Sequence, residues 1–140
     1  MYDKILFVAD DLGHAIQAAR MVGETARRMQ SSQLSIVVAF PPVPDFLGAP
    51  YSGQATAARM TRAEAVAERL QREVGAVPGK IQAEVLAGTM AEVAQAVSQV
   101  RGSDLIVIGS QEPGFWRRLW SGRQGRAIAD HALCPVLLVG

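Results

Sequence analysis

Three short stretches of this chain are apolar at almost every position: Lys4-Ile-Leu-Phe-Val-Ala9, Leu34-Ser-Ile-Val-Val-Ala-Phe40 and Asp104-Leu-Ile-Val-Ile-Gly109. A strand covered on one face only alternates polar and apolar residues, whereas one covered on both faces does not; such runs therefore read as the middle of a parallel sheet. Between them the apolar residues change period. Ala15, Ile16, Ala19, Val22, Ala26 and Met29 recur at three-to-four spacing, as do Met60, Ala63, Ala67, Leu70 and Val74, and then Met90, Val93, Ala94, Val97 and Val100. That is the stripe of a helix lying on a sheet. Strand and helix alternating in this way imply right-handed crossovers.

Local signals complete the series. Asp10 or Asp11 is placed to cap the first helix. Residues 41 to 55 hold four of the chain's seven prolines and two glycines, a composition in which no regular element is expected, so this stretch reads as a flap. The second helix is expected from about Ala57 to Val74, its Arg and Glu residues forming a solvated face. After the Pro78-Gly79 turn, Lys80-Ile-Gln-Ala-Glu-Val-Leu-Ala87 alternates with period two, which suits an edge strand. Thr89 and Glu92 have the spacing of a capping box for the third helix. A fourth helix is expected to end near His131, followed by a fifth strand from Pro135 to Val139. The expectation is one doubly wound α/β domain over residues 1 to 140, with five parallel strands, four helices and strands one and four side by side.

At 140 residues, 49% hydrophobic and 19% charged, the chain is large enough for one ordinary core. A formal net charge of +1 gives no global case for nucleic acid or an anionic membrane. The first residues enter a strand without a charged-then-apolar leader, and no apolar run approaches the roughly 18 residues of a membrane span, so a soluble cytoplasmic protein is expected. Cys134 is the single cysteine, which removes an internal disulfide; beside Pro135 it reads as a small buried hydrophobe rather than a reactive thiol. No Cys/His cluster with metal-ligand spacing is present.

Charge is concentrated locally. Arg117, Arg118, Arg123 and Arg126 fall within ten positions, and from Leu105 onward the acids are Glu112 and Asp130. Where the winding of such a sheet reverses, the crevice beyond the strand ends is the usual ligand site. Here Ala9, Asp10, Phe40, Gly109 and Ser110 would line it. Asp10 offers a carboxylate for ribose hydroxyls, and Gly122-Arg123-Gln124, opening a helix, offers backbone N–H groups and a guanidinium for phosphate. These are the parts a nucleotide requires. For Asp10 the cap remains an equal alternative, and Phe40 reads more readily as core than as a platform for a base.

Tyr2-Asp3-Lys4-Ile-Leu-Phe-Val-Ala-Asp10, Asp104-Leu-Ile-Val-Ile-Gly-Ser110 and Ile128-Ala-Asp-His-Ala-Leu-Cys-Pro-Val-Leu-Leu-Val139 together resemble the universal stress protein family over essentially the whole chain. The resemblance implies an adenine nucleotide alpha-hydrolase-like fold with strand order 3-2-1-4-5, a stress-response role, and a homodimer made by antiparallel pairing of the last strand. It also implies that Ala9 and Asp10 lie beside adenine and ribose, that Phe40 flanks the base, and that Ile108 precedes the first motif glycine. Nucleotide-binding members carry glycine, two residues, glycine, nine residues, then glycine and a hydroxyl residue. Gly109 and Gly122 match the first and third glycines, whereas Glu112 replaces the second and Arg123 the hydroxyl; Gly114 lies two positions beyond Glu112. A carboxylate facing phosphate is repelled by about 1–4 kcal/mol, while an arginine adds a bidentate partner. Glu112 and Arg123 paired with each other would instead close the pocket.

Two other readings stay open. Phe115, Trp116, Leu119 and Trp120 lie beside Arg117 and Arg118, which suits packing onto the domain, or else contact with a protein partner or a membrane surface. His14 and His131 lack a nucleophile or acid/base partner at any recognisable spacing, so turnover is not expected beyond slow ATP hydrolysis, which ranks last.

Overall fold

The structure, a computed structural model, describes residues 2–44, 46, 48, 50–110 and 134–139. Its elements are β1 (Lys4–Asp10), α1 (Ile16–Met29), β2 (Gln33–Phe40), α2 (Tyr51–Val74), β3 (Lys80–Ala87), α3 (Met90–Arg101), β4 (Leu105–Gly109) and β5 (Val136–Val139). The five strands form one sheet in the order β3-β2-β1-β4-β5, every neighbouring pair parallel. The three apolar runs occupy its three central positions and are buried along nearly their whole length. The period-two segment is at an edge and is the most exposed of the eight-residue strands. The expected fourth helix falls outside the described residues.

Alternate residues of the central strands feed two cores. Ile5, Phe7, Ala9, Ile36, Val38 and Phe40 pack against α1 and α2; Leu6, Val8, Val37, Ile106 and Ile108 pack against α3. On the first face α1 and α2 approach closely. A Cβ added at Gly23 would overlap the backbone carbonyl of Val74 at the end of α2, and Arg27 donates hydrogen bonds from Nη1 to the carbonyls of Val74 (2.8 Å) and Ala76 (3.0 Å). Those carbonyls have no intrahelical partner, so the guanidinium caps α2 from its neighbour.

Three sequence expectations are corrected. Neither Asp10 nor Asp11 caps α1, whose N-cap is Ala15 with no side-chain hydrogen bond, because the Asp10 carboxylate is taken up elsewhere. The proline segment does not stay irregular to residue 55: α2 begins at Tyr51, with Pro50 as its N-cap. Proline at a helix start is no obstacle, since its missing N–H would be unpaired there anyway. The 24 residues of α2 span about 36 Å, against about 26 Å for the eight of β2, so its first turns overhang the sheet. Hence Met60, expected on the apolar face, is 38% exposed while Ala63, Ala67, Leu70 and Val74 are buried. The Thr89 cap is as expected, its hydroxyl accepting from the Glu92 N–H at 3.1 Å.

The amino-terminal edge of the sheet is fastened by two carboxylates. Asp104 accepts from the N–H groups of Asp3 (2.9 Å) and Lys4 (3.0 Å), joining β4 to β1. Asp3 accepts from Ser32 Oγ (2.7 Å) and N–H (3.1 Å), joining β1 to β2. The Ser32 hydroxyl and then its amide hold the Asp3 carboxyl below its ordinary value. A carboxyl depressed in the folded state contributes stability above its unfolded pKa and loses it as pH falls through the folded pKa. In chemical denaturation the wild type should exceed an Asp3→Asn variant in stability at neutral pH, and the gap should close below about pH 4. A gap independent of pH would refute this role.

Candidate functional site

Pairing of β1 with β4 places Val8 opposite Ile108 and Ala9 opposite Gly109, so Ala9, Asp10, Ile108, Gly109 and Ser110 meet where the winding reverses. Phe40 ends β2 on the other side of β1, in the register that sets Asp10 beside Ala39. Its side chain is 3% exposed and packs in the core beneath α1 and α2; its carbonyl accepts from the Gly88 N–H at 2.9 Å. Ile108 is fully buried on the α3 face. Of the described residues among Ala9, Asp10, Phe40, Ile108 and Gly109, Asp10 is the one with a polar side chain, and it is half-buried. Gly122, Arg123 and Gln124, the motif position Glu112, and the surface of Phe115, Trp116, Leu119 and Trp120 lie outside the described residues.

The Asp10 carboxylate is held from two sides. Oδ1 accepts from the N–H of Leu12 at 3.1 Å, an Asx turn that shapes the loop leaving β1. Oδ2 accepts from Ser110 Oγ at 2.9 Å across a sequence separation of 100. Ser110 is 1% exposed, and its N–H donates to the carbonyl of Val139 at 3.1 Å. One residue therefore ties the ends of β4 and β5 to the loop after β1. The sequence placed Ser110 in the crevice lining without this role, which only the β1–β4 register reveals.

Gly109 is required by packing. A Cβ there would lie 2.7 Å from Ala18 Cβ, 3.0 Å from Phe7 Cε1 and 3.3 Å from Ala15 Cβ, so the bare backbone lets the first turn of α1 rest on the end of β4. Pro41 and Pro42 follow directly on β2. Two consecutive prolines leave carbonyls without neighbouring N–H groups to answer them, and Arg59 of α2 supplies the donor, Nη1 lying 2.7 Å from Pro41 O and 3.3 Å from Pro42 O. In the segment joining β2 to α2, Phe46 is 84% exposed, and Tyr51, the first residue of α2, is 70% exposed. Arg59 was not singled out from the sequence; the signal was a helical arginine facing a proline pair.

Among the described residues no group of three or more His, Cys, Asp or Glu side chains could hold a metal ion, and no helix is long and apolar enough to cross a membrane. Cys134 is half-buried rather than fully buried, its side chain against the α3 core; burial, then the charge of Asp104, push its thiol pKa up, so the thiolate is disfavoured. An open cavity of about 570 Å³ lies at the opposite end of the sheet, lined by Glu68, Gln71, Arg72, Gly75, Ala76, Val77 and Ile81. It holds none of the crevice residues.

Comparison with known proteins agrees with this geometry. The family model described as "Universal stress protein family" matches residues 1–140. A Thermus aquaticus protein described as "Universal stress protein in QAH/OAS sulfhydrylase 3'region" is 35% identical over 139 residues, 99% of each chain. Universal stress protein UspA from Lactobacillus plantarum superposes with a TM-score of 0.73 at 21% identity, covering 100% of this chain and 99% of that one. A family protein from Arabidopsis thaliana, solved with AMP bound, superposes with a TM-score of 0.57 at 19% identity, covering 97% and 90%. With the family model spanning the full length and the strand order reproduced, the chain belongs to the universal stress protein family.

Proposed function

We propose that this chain is a small stress-response protein of the cytoplasm that binds an adenine nucleotide, ATP or AMP, in the crevice where β1 and β4 end. The observation that carries the reading is the Asp10 carboxylate, fixed at the switch point by Leu12 and Ser110 yet only half-buried. Each carboxylate oxygen has two acceptor positions, so one on each remains for ribose hydroxyls. The AMP complex of the Arabidopsis relative supports the class of ligand. Gly122-Arg123-Gln124 would face the phosphates, with Arg123 offsetting the repulsion of Glu112 and the missing hydroxyl. The protein acts as a homodimer through its last strand: Val136–Val139 is a sheet edge of apolar residues, with Leu137 44% exposed, and a second copy would cover it. Binding, not turnover, is the activity proposed.

The test is titration of ATP and AMP against the fluorescence of Trp116 and Trp120, with calorimetry as a second readout. Saturable binding is expected. No binding at millimolar nucleotide by either method would overturn the reading, and would shift attention to Phe115, Trp116, Leu119 and Trp120 as a surface for a protein partner.

A further inference from the structure

We propose that Ser110 is the positioning residue that makes Asp10 a receptor for a vicinal diol, and so lets the crevice select ribonucleotides over nucleotides without sugar hydroxyls. The inference rests on the nucleotide reading above. An aspartate at a strand end turns freely about two side-chain bonds; a diol needs both oxygens presented together, in one plane, toward the ligand. One hydrogen bond fixes a point, two fix the plane. Leu12 N–H holds Oδ1 from the loop that follows β1, and Ser110 Oγ holds Oδ2 from the end of β4. The two anchors come from opposite sides of the switch point, leaving the remaining acceptor position on each oxygen for a ligand.

The hydroxyl is itself well placed to stay fixed. Ser110 is 1% exposed, and its backbone is locked by the bond from its N–H to Val139 O. Water therefore competes poorly for the serine, whereas Asp10 keeps an accessible side. The loss of Ser110 Oγ would leave the carboxylate hinged on the Leu12 contact alone, free to turn one oxygen away from the diol.

Ser110→Ala tests this, with AMP and 2′,3′-dideoxyadenosine monophosphate as paired ligands for wild type and variant. In the wild type AMP should bind more tightly than the dideoxy compound. In Ser110→Ala, affinity for AMP should fall about tenfold, that for the dideoxy compound should stay within a factor of two, and the AMP preference should vanish. A role confined to holding the strands together would weaken both ligands alike. Equal loss for both, or no loss for either, overturns the inference and leaves the nucleotide reading standing. Wild-type protein that binds neither ligand ends both. A second variant separates a direct effect from one exerted through Asp10: in an Asp10→Asn background, Ser110→Ala should cause no further loss of AMP affinity, and an additive loss would overturn the proposal.

Discussion

Replacing Gly109 by alanine should lower stability by about 1–3 kcal/mol, the usual cost of forcing a methyl into a packed core. The added Cβ would fall 2.7 Å from Ala18 and 3.0 Å from Phe7, closer than carbon atoms pack, and β4 is hydrogen-bonded to β1 on one side and β5 on the other. The strain is relieved by lifting the first turn of α1 away from the sheet. That movement reaches the loop of residues 10 to 14, so nucleotide affinity should fall along with the melting temperature. Thermal unfolding of Gly109→Ala should show a loss of several degrees, and Ala18→Gly added to it should recover part of that loss, because Ala18 is the nearest obstacle. A variant as stable as the wild type would mean that α1 does not rest on Gly109.

Asp10→Asn should act on binding with little effect on the fold. The amide keeps an oxygen to accept from Leu12, and the Ser110 hydroxyl can rotate to accept from the new NH2 group. The charge is gone, and with it the second acceptor for ribose. Hydrogen bonds to a charged group contribute about 1.5–3 kcal/mol, so AMP affinity should drop about 10- to 150-fold. Calorimetric titration of the variant, alongside an unchanged melting temperature, would show this. A variant that binds AMP as well as the wild type would leave Asp10 as a loop staple and nothing more.

Asp10 and Gly109 also show how far the sequence could be read. Which strands are central followed from local pattern: three apolar runs had to lie in the middle of the sheet and the alternating Lys80–Ala87 segment at an edge, whereas the full strand order came from the family resemblance. Gly109 was legible as a place where a small residue is needed, but its reason was not. The atoms that exclude a Cβ belong to Ala15 and Ala18 at the start of α1 and to Phe7 of β1, all far earlier in the chain. Asp10 was legible as polar and well placed, while its partner Ser110 is 100 positions away and is brought within 2.9 Å by strand register alone. The start of α2 was missed for a different cause. Its first turns overhang the sheet, so they carry no apolar period, and Pro50 suits an N-cap as well as it suits a loop. Arg59, taken from the sequence as part of a solvated helix face, instead serves two proline carbonyls, which offer no complementary side chain to point to it.

The most direct test of nucleotide binding at the switch point is to map backbone amide chemical shifts as AMP is added. The expected result is a contiguous set of saturable changes at Ala9, Asp10, Leu12, Gly109 and Ser110, with the amides around Gly75 and Ile81, which line the open cavity at the other end of the sheet, unmoved. Shifts confined to that cavity, or no shifts at millimolar AMP, would contradict it.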